Sequence, residues 1–179
     1  MNCVKPWKHF VTITRHRFYV QRGCFAVGLY WQGLLHDMSK YSWIEFRVGA
    51  KYFQGTRSPN NAEREEYGYS SAWLHHKGRN KHHYEYWLDY GNPPDRRITG
   101  MRMPEKYVVE MFMDRIAACK VYMKGNYHDA AAWEYYARSK SILLMHDETR
   151  ALLEEMLMML AEKGEKETFA YVKKEILKK

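Results

Sequence analysis

No stretch of 18 consecutive apolar residues occurs in this sequence, so nothing in it is suited to cross a bilayer as a helix. The opening MNCVKPWKHFVTITRHRFYV carries charges and histidines throughout and lacks the apolar core of a secretory signal. Both absences point to a cytoplasmic protein, of a cell or of a phage-infected cell. Cysteine is scarce: Cys3, Cys24 and Cys119 are odd in number, widely spaced and form no CxxC pair. That argues against a disulfide framework and against thiolate metal sites. Glycine (11) and proline (5) are sparse among 179 residues, which suits helices better than turn-rich sheets. No segment alternates convincingly enough to be read as a strand, and no internal repeat, low-complexity tract or linker is present.

What remains is the composition of a folded domain, 46% hydrophobic and 28% charged. A chain of this length forms one domain with a real core. The expected fold is all-α, a single helical bundle over residues 1–179 with two long loops. Residues 5–22 read as a first helix stopped by Gly23. FAVGLYWQGLLHD (25–37) reads as a second, apolar nearly all round and therefore buried. Ser42 reads as the N-cap of WIEFRVGAKYF, with Glu45 in the capping-box position. QGTRSPNNAEREE (54–66) reads as a polar loop or lid. A short helix is expected over 67–76, a turn or helix over 82–90, and mostly loop over 91–104. PEKYVVEMFMDRIAACKVYM (104–123) opens with proline in its first turn, a favoured place. Helices over 128–143, 147–162 and 165–178 complete the bundle.

The formal charge is +8, from 29 basic and 21 acidic residues. It is scattered, and the lysines at the C-terminal end suit a solvated helix terminus. The balance permits a phosphate-bearing substrate and is weak support for nucleic-acid binding.

Nine histidines are many for this length, and seven fall between positions 9 and 83. The sharpest signal is His36-Asp37, in LLHDMSK. An aspartate at the end of an apolar helix costs several kcal/mol unless something neutralises it. A divalent cation would do so, and imidazole with carboxylate is the donor set suited to Mn, Fe, Ni, Co or Zn. His16 in TITRHRFYV and Asp114 in EMFMDRIAA are the further candidates. Glu110, one turn before Asp114, would orient a ligand or exchange a proton. The competing reading pairs Asp37 and Asp114 with arginines such as Arg15 or Arg115 and leaves the histidines exposed.

His16, then His36-Asp37 twenty residues on, then a distant helical Asp114 resembles the HD-domain superfamily of metal-dependent phosphohydrolases, which is all-helical. The resemblance spans about residues 10–120. It implies that His16, His36, Asp37 and Asp114 ligate a metal. Lys40 matches a lysine that some branches place near the substrate phosphate. Binuclear branches insert two further histidines in the interval where WLHHKGRNKHHYEYW (73–87) lies. His76 and His83 would then complete a second metal site with Asp37 as the bridge. Spacing does not separate His75 from His76 or His82 from His83, and the other member of each pair is a ligand or supports one. The HHKGRNKHH core with EMFMDRIAA also resembles an uncharacterised bacterial and phage family, which implies no activity.

The resemblance implies hydrolysis of a phosphomonoester or phosphodiester, best a nucleotide, by a metal-activated water. Asp37, Lys40 and Glu110 would be catalytic, with Glu110 or a spare histidine supplying the leaving-group proton. Lys77, Arg79 and Asn80 would bind substrate, with Lys77, Arg79 and Lys81 forming a cationic rim around Asn80. Two alternatives stand beside it: a di-iron oxygenase built from the same ligands, and a non-enzymatic binder of nucleic acid or protein. One histidine and two further His-Asp pairs are set aside. His9 lies two turns, about 10 Å, from His16, and His128-Asp129 and His146-Asp147 sit near expected helix starts.

Overall fold

A computed structural model describes residues 4–94 and 96–178; Cys3 lies outside them. The class is all-α, 71% helical. The described residues form α1 (Val4–Ala26), α2 (Tyr30–Leu35), α3 (Trp43–Lys51), α4 (Pro59–Tyr67), α5 (Ser71–Lys77), α6 (Glu105–Met123), α7 (Ala131–Ala137) and α8 (Asp147–Tyr171). No described helix is long and apolar enough to cross a membrane.

The centre is α1 packed along α6, with α8 on the far side of α6. Val20 and Cys24 from α1, Val109, Phe112 and Ile116 from α6, and Leu153, Leu157 and Leu160 from α8 are essentially excluded from solvent. Each such side chain stabilises the fold by roughly 1.5–3 kcal/mol. Gly23 does not end α1. It lets two helices touch, because a Cβ there would stand 2.7 Å from Met113 Sδ. The chain turns only at Gly28, whose φ of 80° suits glycine. The expected helix over 25–37 is thereby divided. Its second half, α2, is not buried: Trp31, Leu34 and Leu35 face solvent, and Gly33 is the one buried residue of the helix. An apolar run too short to reach across the core is left lying on the surface.

The expected loop over 54–66 contracts to about 52–58, because Pro59 opens α4 and Gly68, with φ 78°, closes it. The helix is polar on most faces, which disguised it, but it inserts Glu63 beneath α5. There the Glu63 carboxylate accepts the hydroxyls of Ser70 at 2.5 Å and Ser71 at 2.6 Å. Ser70 in turn caps α5 by accepting Trp73 N–H. Where only turn, helix or loop was expected, Leu88–Tyr90 (β1) pairs antiparallel with Ile98–Gly100 (β2), Leu88 opposite Gly100. Three-residue strands are too short for alternation to show. The expected helix over 128–143 shortens to α7 and a 3-10 turn at Lys140–Ile142.

The expected interruption between 162 and 165 is present as non-helical backbone at Gly164 (φ 76°, ψ 174°) inside α8. Beyond it a π-helical turn, Val172–Ile176, returns Val172 and Ile176 to the core.

Leu157 is fully buried and remote from the histidines. Leu157→Ala should lower unfolding free energy by about 2–5 kcal/mol in a denaturant titration, with metal content per folded chain unchanged.

Candidate metal centre

His16 lies in the middle of α1, and Asp114 faces it from α6 with its Oδ1 2.8 Å from His16 Nε2. His36 and Asp37 follow α2 directly. Asp37 has left-handed backbone (φ 53°, ψ 25°), a conformation that aspartate tolerates better than most residues. The twist turns neighbouring side chains into one space. Arg17, next to His16, donates Nε–H to His36 O at 2.8 Å and Nη2–H to Leu34 O at 2.9 Å. It thereby satisfies orphan carbonyls at the end of α2 and ties that end to α1. His75 and His76 end α5, and His82 and His83 follow the KGRN turn.

Asp37 has no exposed side-chain surface, and each of its oxygens faces a different group. Oδ2 lies 3.3 Å from His36 Nε2 and 3.6 Å from His16 Nε2. His36 Nε2 is in turn 3.5 Å from Asp114 Oδ1. Oδ1 lies 3.2 Å from His76 Nε2 and 3.4 Å from His82 Nε2, and His76 Nε2 is 2.9 Å from His83 Nε2. Two sets of donors result, His16/His36/Asp37/Asp114 and Asp37/His76/His82/His83, and within each all ligand atoms lie within 4.8 Å of one another. Donors that each stand about 2.1 Å from one cation are themselves roughly 3–4 Å apart, and the neighbouring donors here, 2.8–3.6 Å apart, lie close to that spacing.

Orphaned atoms make the same point. Among the described residues, eight buried side-chain nitrogens and oxygens make no well-formed hydrogen bond, and five of them converge here: Nε2 of His16, His36 and His82 and both oxygens of Asp37, whose polar neighbours are one another, Asp114, His76 and the Lys40 ammonium. Buried polar atoms are normally satisfied. The five donors fit one or two divalent cations.

The outer nitrogens are held from behind. Glu110 Oε1 lies 2.9 Å from His36 Nδ1 and 3.1 Å from His82 Nδ1, one ring from each set. Glu45 takes His75 Nδ1 at 2.7 Å and His76 Nδ1 at 2.8 Å. A proton on each Nδ1 leaves the Nε2 lone pair facing inward, the arrangement that fixes the tautomer of a ligating histidine. Glu45 therefore does more than complete a capping box. Its backbone N–H does meet Ser42 Oγ, at 3.5 Å, but its carboxylate serves the histidines.

Electrostatics follow from crowding. Burial pushes the Asp37 carboxyl up, but His36, Lys40 and His76 outweigh it and hold it well below the usual range. Burial likewise opposes the charge on Asp114, which His16 and His36 hold low. His36 is raised well above the ordinary imidazole value, against burial, by Asp37, Asp114 and Glu110. The Lys40 ammonium pairs with Asp37 Oδ2 at 2.5 Å. Lys40 and a protonated His36 thus supply the positive charge that a cation would replace. The counter-charge of Asp37 is this lysine and not an arginine, and His16, His36, His76 and His82 are buried, not exposed.

A cavity of about 610 Å³ opens on the site, with His16, Lys40, His76, His83 and Asp114 in its wall. Several expected roles change. Lys77, Arg79 and Asn80 do not line it. Arg79 is exposed and donates to His75 O, while Asn80 donates to Ser39 Oγ and His76 O and so braces the turn. Those interactions depend on how the KGRN turn folds back. The cavity's cations are Lys40, Arg57, Arg115 and Arg138. Glu110 also lies outside the wall, tied to two imidazoles, and is placed to orient ligands, not to protonate a leaving group. His75 sits on Glu45 outside both donor sets. His82, with its orphaned Nε2 and its Nδ1 beside Glu110, has the full arrangement of a ligand, and His83 stands next to it. The contacts of Arg17 and Glu45 with the site are not legible in the sequence, since an arginine beside a histidine and a glutamate after a cap carry no local mark of their partners.

Residues 5–159 match the profile of DUF5662, a family of unknown function. The chain belongs to this family. The match takes in every residue of both donor sets in this DUF5662 chain. No curated protein and no solved structure matches.

Glu110→Gln should weaken metal binding about 10–100-fold in a competition titration against a chromophoric chelator. Unchanged affinity would show that the two Nδ1 contacts do not orient the rings.

Proposed function

We propose that this chain is a cytoplasmic metal-dependent phosphohydrolase, acting on a phosphomonoester or phosphodiester, with a nucleotide as the substrate class. The observation that carries the reading is Asp37, a carboxylate shut away from water whose two oxygens face two different histidine groups. Support comes also from the likeness of His16, His36-Asp37 and Asp114 to the HD-domain superfamily. The cavity is of the size that takes a small ligand and not a duplex.

His16, His36, Asp37 and Asp114 would hold one cation, and Asp37, His76, His82 and His83 a second, drawn from Mn, Fe, Ni, Co or Zn. Such cations make water a nucleophile at neutral pH and take up charge on phosphoryl oxygens. The chain's own residues do the rest. Asp37 keeps the two groups in register, Glu110 and Glu45 hold the rings, and Lys40 offers its ammonium to a phosphoryl oxygen once a cation takes its place on Asp37. In the reaction a water oxygen bonds phosphorus, the P–O ester bond breaks, and the alcohol leaves with the proton that the water gives up.

The test is elemental analysis of the purified protein with a phosphate-release assay on nucleotides and p-nitrophenyl phosphate. We expect bound transition metal and release of inorganic phosphate, both abolished by Asp37→Ala. Lys40→Met should keep its metal and lose about 10²-fold in kcat. Iron with oxygen consumption and no phosphate release would overturn hydrolysis in favour of the oxygenase, and an Asp37→Ala protein with full metal content and turnover would remove the site altogether.

A further inference from the structure

Three further orphaned atoms belong to residues of the same cavity wall: one is His9 Nδ1, and the other two are Arg115 Nε and Glu85 Oε2. Neither belongs to a donor set. Arg115 follows Asp114 on α6, and Glu85 lies two residues after His83, so each is joined through the backbone to a ligand of one group. The two feel each other's charge, yet neither orphaned atom is hydrogen-bonded to the other.

The guanidinium is held in place. Its Cζ lies 5.4 Å from the centre of the Tyr136 ring, which is fully buried and whose hydroxyl donates to Glu154 at 2.9 Å. A planar donor fixed on one face, beside a carboxyl with a free oxygen, asks for a ligand edge with a hydrogen-bond acceptor next to an N–H donor. A phosphate does not meet that need, because Glu85 would repel it. Tyr84, Tyr122 and Tyr135 line the cavity with the pair and offer flat faces to a planar group. A nucleobase combines these features, since the Watson–Crick edge of each base sets an acceptor beside a donor.

We infer that Arg115 and Glu85 are the specificity-determining pair that reads a nucleobase in this cavity. Calling that base part of the substrate rests on the phosphohydrolase reading, which makes the histidine groups the reacting centre. Arg115 donates to the base acceptor, Glu85 accepts the neighbouring N–H, and the tyrosines flank the ring. Lys77, Arg79 and Asn80 take no part.

The experiment separates the two readings by using probes without phosphate. Adenosine, guanosine, cytidine, uridine, thymidine and, as a control, ribose are titrated calorimetrically into the full chain, metal-loaded and chelator-treated. At least one nucleoside is expected to bind both forms, and ribose neither. Arg115→Met and Glu85→Met should each weaken nucleoside binding about tenfold or more, while metal content and p-nitrophenyl phosphate hydrolysis stay at the wild-type level. Arg115→Lys keeps the charge and loses the planar fork, so it should weaken nucleoside binding as well, and it serves if Arg115→Met does not fold. A wild-type protein that hydrolyses p-nitrophenyl phosphate and binds no nucleoside overturns the inference and leaves the hydrolase standing. So do variants that bind nucleosides as tightly as wild type. Nucleoside binding that the variants lose, in a protein that hydrolyses no phosphate ester, sustains the reading pair and removes the hydrolase.

Discussion

A carboxylate without exposed surface, flanked on each oxygen by imidazoles, is the constraint on which the architecture depends. The Asp37 charge must be balanced inside the protein, and every element that reaches it brings a positive or potentially metal-bearing group: His16 from α1, His36 beside it, Lys40 from the following 3-10 turn, His76 and His82 from the α5 region. Several kcal/mol of desolvation are at stake for such an ion. That cost explains why so many separate segments converge on one side chain.

Convergence needs rigid supports, and these are ordinary packing devices. The absence of a side chain at Gly23 brings α1 against α6, which sets His16 opposite Asp114. Arg17 fastens the end of α2 to α1, so that the left-handed turn at Asp37 is presented at a fixed height. Glu45 and Glu110 then hold the rings from behind. The carboxylates divide by position: Asp37 and Asp114 face the shared points, and Glu45 and Glu110 face the outer nitrogens.

Much of this could be read from the sequence, for a physical reason. Histidines and aspartates in apolar surroundings are costly, so His16, His36, Asp37, Asp114 and the 75–83 cluster stood out, and the structure brings them together with the exception of His75. Long helices such as α1 and α6 were legible from their period. The rest depended on tertiary partners. α4 is polar because its buried face is a single glutamate, α2 is apolar yet exposed, and β1 and β2 are three residues each. The work of Arg17 and Glu45, and the absence of Lys77, Arg79 and Asn80 from the cavity wall, follow from how turns fold back and leave no local mark.

The break at Gly164 has a bearing on where this fold ends. The stretch shared with DUF5662 stops at residue 159, within the straight part of α8. Past the break, Val172 and Ile176 still lie in the same hydrophobic cluster as Phe112 and Leu157. The boundary of family likeness is therefore not the boundary of the folding unit. A chain cut at the former would leave one flank of its interior uncovered, an adhesive surface where the intact protein has a closed one.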